Sequence, residues 1–163
     1  MQWGDSAYAR FFYRSREHQY AQFTHVLAHA GDLTGKSVLD AGCGYGDILG
    51  MLPPCEYLGI DVNDDAIAQA RRLWPEHRFE ATDTPAPCDV VLAVGTLHVC
   101  EDPREALLSW IAAARERVVV ATSVTAKLRE EVQPLEASWW EGIEREVFPP
   151  KDDFVVSVIR PNA

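Results

Sequence analysis

The chain has 163 residues, of which 47% are hydrophobic, so it has the size of one domain and can bury a substantial core. Its 25 acidic residues outnumber its 15 lysines and arginines, which gives a formal net charge of -10 and disfavours nucleic acid and anionic membranes as partners. The first residues lack the basic start and apolar run of a signal peptide, and no apolar stretch approaches the roughly 20 residues that span a bilayer. We therefore expect a cytoplasmic protein.

Helical and strand patterns alternate along the chain, as they do in a doubly wound α/β sheet. Apolar runs predict five parallel strands, at 38–40, 57–61, 78–81, 89–94 and 117–121. Helical spacing, caps and prolines predict helices within 5–30, at 47–52, from Asn63 or Asp64 to Pro75, at 102–115 and at 125–137. The link from Thr82 to Cys88 holds two prolines, so a helix there is expected to be very short or absent.

The C-terminal segment predicts two further strands, a weak one near 143–148 and a clear one at 153–159. They flank Pro149-Pro150, and this link is too short for a parallel crossover, so we expect an antiparallel hairpin. The whole pattern predicts a single domain in three parts. These parts are an N-terminal helical cap over 1–33, a ligand-binding core over 35–125, and a C-terminal helix and antiparallel hairpin over 126–163.

The first predicted strand runs into the turn Asp40-Ala41-Gly42-Cys43-Gly44-Tyr45-Gly46. Glycines at Gly42 and Gly44 permit positive φ angles and remove the Cβ where backbone would meet a ligand. The spacing differs from the G-x-G-x-x-G of dinucleotide folds, and the Asp40 carboxylate would repel a pyrophosphate. A nucleoside that carries positive charge fits better, and S-adenosylmethionine has an ammonium, a sulfonium and no phosphate.

Further carboxylates fall where neighbouring strands of the predicted sheet end. Asp61 ends the second strand, where its carboxylate can accept hydrogen bonds from both ribose hydroxyls. Asp83 follows the third strand and is placed to accept from an adenine amino group. The alternatives are structural: the glycines can serve only a tight turn, Asp61 can be a solvated acid before a helix, and Asp83 can form a turn.

Four segments in this order resemble the class I S-adenosylmethionine-dependent methyltransferases. They are Val38 to Gly46, Tyr57 to Asp61, Asp83, and Asp89 to His98, within a resemblance that covers about 35–125. The resemblance implies a Rossmann-like, mostly parallel seven-stranded sheet of order 3-2-1-4-5-7-6, with helices on both faces. It also implies S-adenosyl-L-methionine as the cofactor.

By the same resemblance, Asp40 and the glycine backbone face the amino-acid end of the cofactor, and Asp61 holds its ribose. Val62 packs on the adenine, whose edge meets Asp83 and Thr84, and the segment from Gly95 to His98 lies beside the methyl group. The cofactor-binding residues expected are therefore Asp40, Gly42, Gly44, Asp61, Val62, Asp83, Thr84 and Gly95.

His98 is the candidate catalytic residue, because it is the titratable group near the methyl donor that can act as a base at neutral pH. The alternative is that its ring only packs beside the cofactor. Since methyl transfer is a displacement on a charged sulfonium, positioning alone can supply much of the acceleration.

Other features leave alternatives open. The run from Tyr8 to Arg14 predicts either a helix on the sheet or a flap in which Tyr13, Arg14 or Tyr20 meets the ligand. Trp139-Trp140 can form a pocket wall or core. His18 and His25 lack a third ligand, and no metal is expected.

Two proline–cysteine pairs, Pro54-Cys55 and Pro87-Cys88, resemble the nucleophile of cytosine-C5 methyltransferases but stand at the wrong places in the predicted fold. The Asn-Pro-Pro-Tyr type of motif found in amino-directed nucleic-acid methyltransferases is also missing after the fourth strand. We therefore expect methyl transfer to an oxygen or nitrogen atom of a small-molecule acceptor. The alternatives are a protein-directed methyltransferase, a cofactor-binding subunit without turnover and, least favoured, a dinucleotide oxidoreductase.

Overall fold

A computed structural model of the chain describes residues 15–123, 137–151 and 154–161. Its helices are α1 (Arg16–Ala30), α2 (Asp64–Leu73) and α3 (Pro103–Ala113), and 3₁₀ segments lie at Asp47–Met51, Leu97–Val99 and Ala137–Trp140. Its strands are β1 (Ser37–Ala41), β2 (Glu56–Asp61), β3 (Arg78–Ala81), β4 (Cys88–Val94), β5 (Ala114–Ser123), β6 (Glu146–Lys151) and β7 (Phe154–Ile159).

The seven strands form one sheet in the order β3-β2-β1-β4-β5-β7-β6, which confirms the predicted fold. The five strands from β1 to β5 run parallel, whereas β7 is antiparallel to both β5 and β6. The order reverses beside β1, so the carboxyl ends of β1 and β4 border the crevice in which such sheets bind ligands.

Alternating residues of the central strands enter separate cores on the two faces of the sheet. In β4, Val90 and Leu92 belong to the core that also contains Phe23 of α1 and Ile67 of α2. Val91 and Ala93 belong to the opposite core, with Leu107 and Trp110 of α3 among its members. Because strand side chains alternate between faces, a continuous apolar run is required when helices cover both sides.

Local signals in the sequence set the starts of α2 and α3 and the end of α1 as expected. Asn63 caps α2, and its side chain accepts from the backbone N–H of Ala66, while Asp102 caps α3 in front of Pro103. Gly31 follows α1 with a φ of 75°. No regular element interrupts the proline-rich link between β3 and β4, in agreement with the prediction. The helix predicted over 47–52 is a 3₁₀ segment instead.

Two predicted boundaries are wrong, for different physical reasons. The helix expected to reach Arg115 ends at Ala113, because β5 begins at Ala114 and Arg115 pairs through its Nε with the Asp89 carboxylate at 2.8 Å. The turn expected at Pro149-Pro150 is not there, because β6 continues through both prolines to Lys151.

The register between β6 and β7 shifts between Phe148 and Lys151, where the prolines lie. As the outermost strand, β6 tolerates residues that lack an N–H. The antiparallel hairpin itself is confirmed. The helix predicted over 125–137 and the segment from Tyr8 to Arg14 lie outside the described residues, except that Ala137 begins a 3₁₀ segment. Within the described ranges no helix is long and apolar enough to cross a membrane.

Candidate functional site

The glycine turn after β1 contains two glycines with different surroundings. Gly42 has a φ of 73°, and a Cβ placed on it would collide with the Thr96 hydroxyl, so the loop after β4 packs directly on the turn. Thr96 Oγ1 donates to the carbonyl of Ala41 at 2.9 Å and secures this contact. Gly44 has a φ of 53°, and a Cβ there would meet no atom within 4 Å. The turn is thus packed at Gly42 and open at Gly44.

Asp61 connects the end of β2 to the glycine turn. Its buried carboxylate accepts from the Gly44 backbone N–H at 3.0 Å and from the Asn63 N–H at 2.9 Å, one bond to each oxygen. Each carboxylate oxygen has a second acceptor site, so the group can still accept from a ligand. The bond to the turn was not predicted from the sequence, and through it Asp61 also shapes the turn that it faces.

Asp40, at the end of β1, is a buried carboxyl group with a specific partner. The Tyr57 hydroxyl donates to its Oδ2 at 2.8 Å. Burial raises the pKa of the Asp40 carboxyl to about 7, and the nearby carboxylates of Asp61 and Asp47 also raise it, while the bond from Tyr57 lowers it. No sequence pattern identified Tyr57 as a site residue. The structure brings its hydroxyl onto one of the predicted ligand-binding carboxylates.

A cleft of about 1340 Å³ opens along the carboxyl ends of the strands. The residues around it include all eight of the predicted cofactor-binding set: Asp40, Gly42, Gly44, Asp61, Val62, Asp83, Thr84 and Gly95. Val62 presents a side chain that is 73% exposed, and Asp83 and Thr84 are exposed as well. The structure therefore brings the predicted set together at one concave surface, while their individual ligand contacts stay a prediction.

Helices α1 and α3 also contribute to this cleft. Gln19 and Phe23 of α1 lie on it, and Gln19 Nε2 donates to Asp47 Oδ2 at 3.1 Å. From α3 come Glu105 and Ser109, among others, which the sequence analysis did not identify as site residues. A helical pattern does not reveal which helix will border a cleft, so sequence offered no direct signal for these residues. Tyr13 and Arg14, the other candidates for a flap, lie outside the described residues.

His98 lies beneath the cleft surface. His98 is only 1% exposed and is not among the residues that line the cleft. Its ring contacts the Trp139 ring edge-on, with 6.2 Å between the ring centroids. This geometry favours the packing alternative over proton transfer, and the catalytic role stays a prediction. Trp139 and Trp140 are buried in the core on the α3 face, so of their two alternatives the structure supports core.

Tyr20, proposed as part of a flap, is not among the cleft residues, and its hydroxyl accepts from Arg16 on the same helix. His18 contacts Phe154, and His25 contacts His29. Across 15–123, 137–151 and 154–161, no group of three His, Cys, Asp or Glu side chains is arranged to hold a metal ion. The cysteines are free thiols, with Cys43 and Cys88 buried.

The charge of the cleft has one sign within the described residues. Seven carboxylates line it, and no lysine, arginine or histidine is among the described lining residues. The carboxylates are Asp40, Asp47, Asp61, Asp83, Glu101, Asp102 and Glu105. Such a surface attracts a cation and repels phosphate groups.

Comparison with known proteins agrees with this geometry. The family model described as "Methyltransferase domain" matches residues 12–151. Trans-aconitate 2-methyltransferase of Rhizobium meliloti is 33% identical over 90 residues, which cover 53% of this chain and 34% of that protein. Fatty-acid O-methyltransferase of Mycolicibacterium smegmatis is 36% identical over 90 residues, which cover 48% of this chain and 33% of that protein. The matched segments thus span about a third of the length of each relative.

Among solved structures, a TehB-like SAM-dependent methyltransferase from Corynebacterium glutamicum superposes with a TM-score of 0.63. It shares 26% sequence identity with this chain, and the match covers 87% of this chain and 96% of that one. The similarity therefore extends beyond the glycine turn to the arrangement of the whole sheet.

Proposed function

This chain belongs to the methyltransferase domain family, and we propose that it transfers a methyl group to an oxygen or nitrogen atom of a small-molecule acceptor. The domain is of the S-adenosylmethionine-dependent type, so S-adenosylmethionine is its cofactor. The acceptor class, the methylated atom and the role of each site residue are proposals. The observation that carries them is the acidic cleft built on the open glycine turn.

The residues present fit this cofactor. Gly44 leaves open space where any other residue would place a Cβ, so the backbone of the turn is accessible to a ligand. The seven carboxylates of the described lining suit a ligand with an ammonium and a sulfonium group, and they disfavour a dinucleotide. The fit thus rests on both shape and charge.

We assign the site residues as the resemblance to the family implies, and all of them lie among the residues around the cleft. In this assignment Asp40 and the backbone at Gly42 and Gly44 meet the amino-acid end of the cofactor, and Asp61 meets the ribose. The exposed side chain of Val62 offers an apolar surface to the adenine ring, and Asp83 and Thr84 lie at its edge. Gly95 borders the reaction centre, where the bound cofactor supplies an electrophilic methyl group. What the chain contributes is orientation of the reacting atoms and electrostatic attraction for a cation.

A small acceptor is supported by two observations. The curated relatives that match this chain act, by name, on trans-aconitate and on fatty acids, both of which are small molecules. The cleft also has room for more than a nucleoside, because it extends past the strand ends to Glu105 and Ser109 on α3. Those two relatives act on acids, whereas the seven carboxylates of the described lining would repel an acid. We therefore expect a neutral or cationic acceptor.

The decisive experiment uses purified protein and S-adenosylmethionine labelled in its methyl group. The protein is incubated with a cell extract that has been separated into small-molecule and macromolecular fractions, and label and S-adenosylhomocysteine are measured in each. We expect label in the small-molecule fraction. Label only in the protein fraction would support a protein-directed enzyme, and tight cofactor binding with no labelled product would support a subunit without turnover.

A second assay tests the charge of the acceptor. Matched series of small amines, alcohols and carboxylic acids are compared as acceptors at equal concentration, with S-adenosylhomocysteine release as the readout. Preference for the acids would contradict the expected acceptor charge without affecting the cofactor assignment. The cytoplasmic location and the exclusion of nucleic acid remain predictions from the sequence.

A further inference from the structure

The contact between Tyr57 and Asp40 joins the two strands on which the cofactor cleft is built. Val38 of β1 pairs directly with Tyr57 of β2, and Asp40 pairs with Gly59, so Asp40 and Tyr57 lie on the same face one pleat apart. Seventeen residues separate them in the chain, yet their side chains meet at 2.8 Å. A diagonal pair of this kind exists only in this register of the two strands.

Two neighbouring rings hold the Tyr57 ring in place. Its centroid lies 5.6 Å from that of Phe79 and 5.9 Å from that of His77, and both contacts are edge-on. The whole side chain is buried. The packed ring therefore leaves the hydroxyl little freedom to move away from Asp40. The hydrogen bond in turn restricts the orientation of the Asp40 carboxylate.

The other groups that act on Asp40 are acids. Asp61 comes from β2 and Asp47 from the 3₁₀ segment after the turn. In the turn itself, burial and the Asp40 carboxylate raise the pKa of the Cys43 thiol, so this thiol is neutral and adds no charge beside Asp40. Burial and the two carboxylates raise the pKa of Asp40 to about 7, and the hydrogen bond from Tyr57 is the contribution that lowers it. Without that hydroxyl, the neutral form of Asp40 would be favoured at neutral pH.

We propose that Tyr57 is a positioning residue for the cofactor: its hydroxyl orients the Asp40 carboxylate in the cleft and favours its anionic form, which faces the cationic amino-acid end. The inference rests on the proposed assignment of Asp40 to that end. It does not depend on which acceptor is methylated. Tyr57 lies too deep to appear among the cleft residues, so it acts through Asp40.

The test is a double-mutant cycle on cofactor affinity, with Tyr57→Phe, Asp40→Asn and the double variant. Binding of S-adenosylhomocysteine is measured by calorimetry from pH 6 to 8.5 without any acceptor. Near pH 7 we expect Tyr57→Phe to weaken binding about threefold to tenfold, which corresponds to a lost hydrogen bond of about 0.7–1.4 kcal/mol. The ratio of the dissociation constants should shrink toward pH 8.5, where Asp40 ionises in both proteins. Titration of the ligand itself is common to both and cancels in that ratio.

In the Asp40→Asn background, Tyr57→Phe should change the dissociation constant by less than about 1.5-fold, because the carboxylate that the Tyr57 hydroxyl orients has been replaced by a neutral amide. An equal loss in both backgrounds, or a loss independent of pH, would show that the hydroxyl matters only for packing and would overturn the proposal. So would an unchanged affinity in Tyr57→Phe.

A direct readout uses the cofactor-free protein. The Asp40 carboxyl resonance is followed by ¹³C NMR and assigned by its loss in Asp40→Asn. Its titration midpoint should rise in Tyr57→Phe by about half a pH unit or more. A midpoint that stays in place would contradict the proposal. Because phenylalanine retains the ring packing on Phe79 and His77, we expect the fold to persist, and thermal unfolding checks this. Failure of methyl transfer to small molecules would leave these measurements unaffected, so the two proposals fail separately.

Discussion

Replacing Asp40 with asparagine is expected to stabilise the cofactor-free protein, and to do so increasingly as the pH rises. The pKa of the Asp40 carboxyl is raised from 3.8 to about 7 in the folded protein, chiefly by burial. The folded state therefore binds this proton more tightly than the unfolded chain does. It follows that the free energy of unfolding of the wild-type protein falls between about pH 4 and pH 7 because of this one group.

The magnitude follows from the difference of about 3 pKa units, each worth about 1.4 kcal/mol, which gives an upper bound of about 4 kcal/mol. Asparagine keeps an oxygen that accepts from the Tyr57 hydroxyl and does not titrate. The stability of Asp40→Asn relative to the wild type should therefore rise by up to about 4 kcal/mol between pH 4 and pH 8. Affinity for the cofactor should fall in the same variant.

The assay is urea denaturation of both cofactor-free proteins at pH 4, 6 and 8, with the slope m checked for equality. Asp89→Asn serves as the control of opposite sign. Asp89 accepts from the Ser37 N–H and hydroxyl and from Arg115, which hold its pKa at about 2. Its contribution is present above about pH 4 and lost on acidification, so the deficit of Asp89→Asn should not grow from pH 6 to 8. A difference between Asp40→Asn and wild type that varies by less than about 0.5 kcal/mol across the range would refute the argument.

Three further predictions concern the cleft and the buried histidine. Asp61→Ala should weaken S-adenosylhomocysteine binding at least about tenfold by calorimetry, or about 1.4 kcal/mol, and an unchanged dissociation constant would refute the ribose assignment. Gly42→Ala should lower the free energy of unfolding by about 2 kcal/mol or more, because its new Cβ collides with Thr96. Gly44→Ala should lower it by only about 1 kcal/mol but should weaken cofactor binding more than Gly42→Ala does. The reverse ranking of the two variants in denaturation and calorimetry would contradict the geometry. His98→Ala should destabilise the fold by about 2–4 kcal/mol, and turnover equal to wild type with intact cofactor binding would exclude a role as base.

Much of the fold follows from local pattern. Prolines and glycines end the helices where expected, and the apolar runs of the parallel strands mark the centre of the sheet. The strand order required the resemblance to a known family, because local pattern does not say which strands are neighbours. The boundary errors arose where tertiary pairing prevailed: Ala114 joins β5 because Cys88 of β4 lies beside it, and β6 tolerates prolines because it lies at an edge.

The candidate site was predictable in its members but not in its internal contacts. Asp40, Asp61 and Asp83 stand at strand ends, and a parallel sheet brings such ends together. The bond from Tyr57 to Asp40 depends on the register between β1 and β2, which neither strand encodes alone. The orientation of His98 was likewise undetermined, since a short 3₁₀ segment can direct a side chain into the cleft or beneath it.

The prolines in β6 affect how readily another chain can pair with the edge of the sheet. An exposed strand normally offers a row of N–H and C=O groups on which another chain can grow a further strand. Pro149 and Pro150 have no N–H to donate, so the outermost strand cannot present a continuous row of donors, and the register shift beside them interrupts its regular pairing. At the opposite border, β3 offers only four residues. Both borders thus resist the chain-to-chain stacking that begins fibrous aggregation.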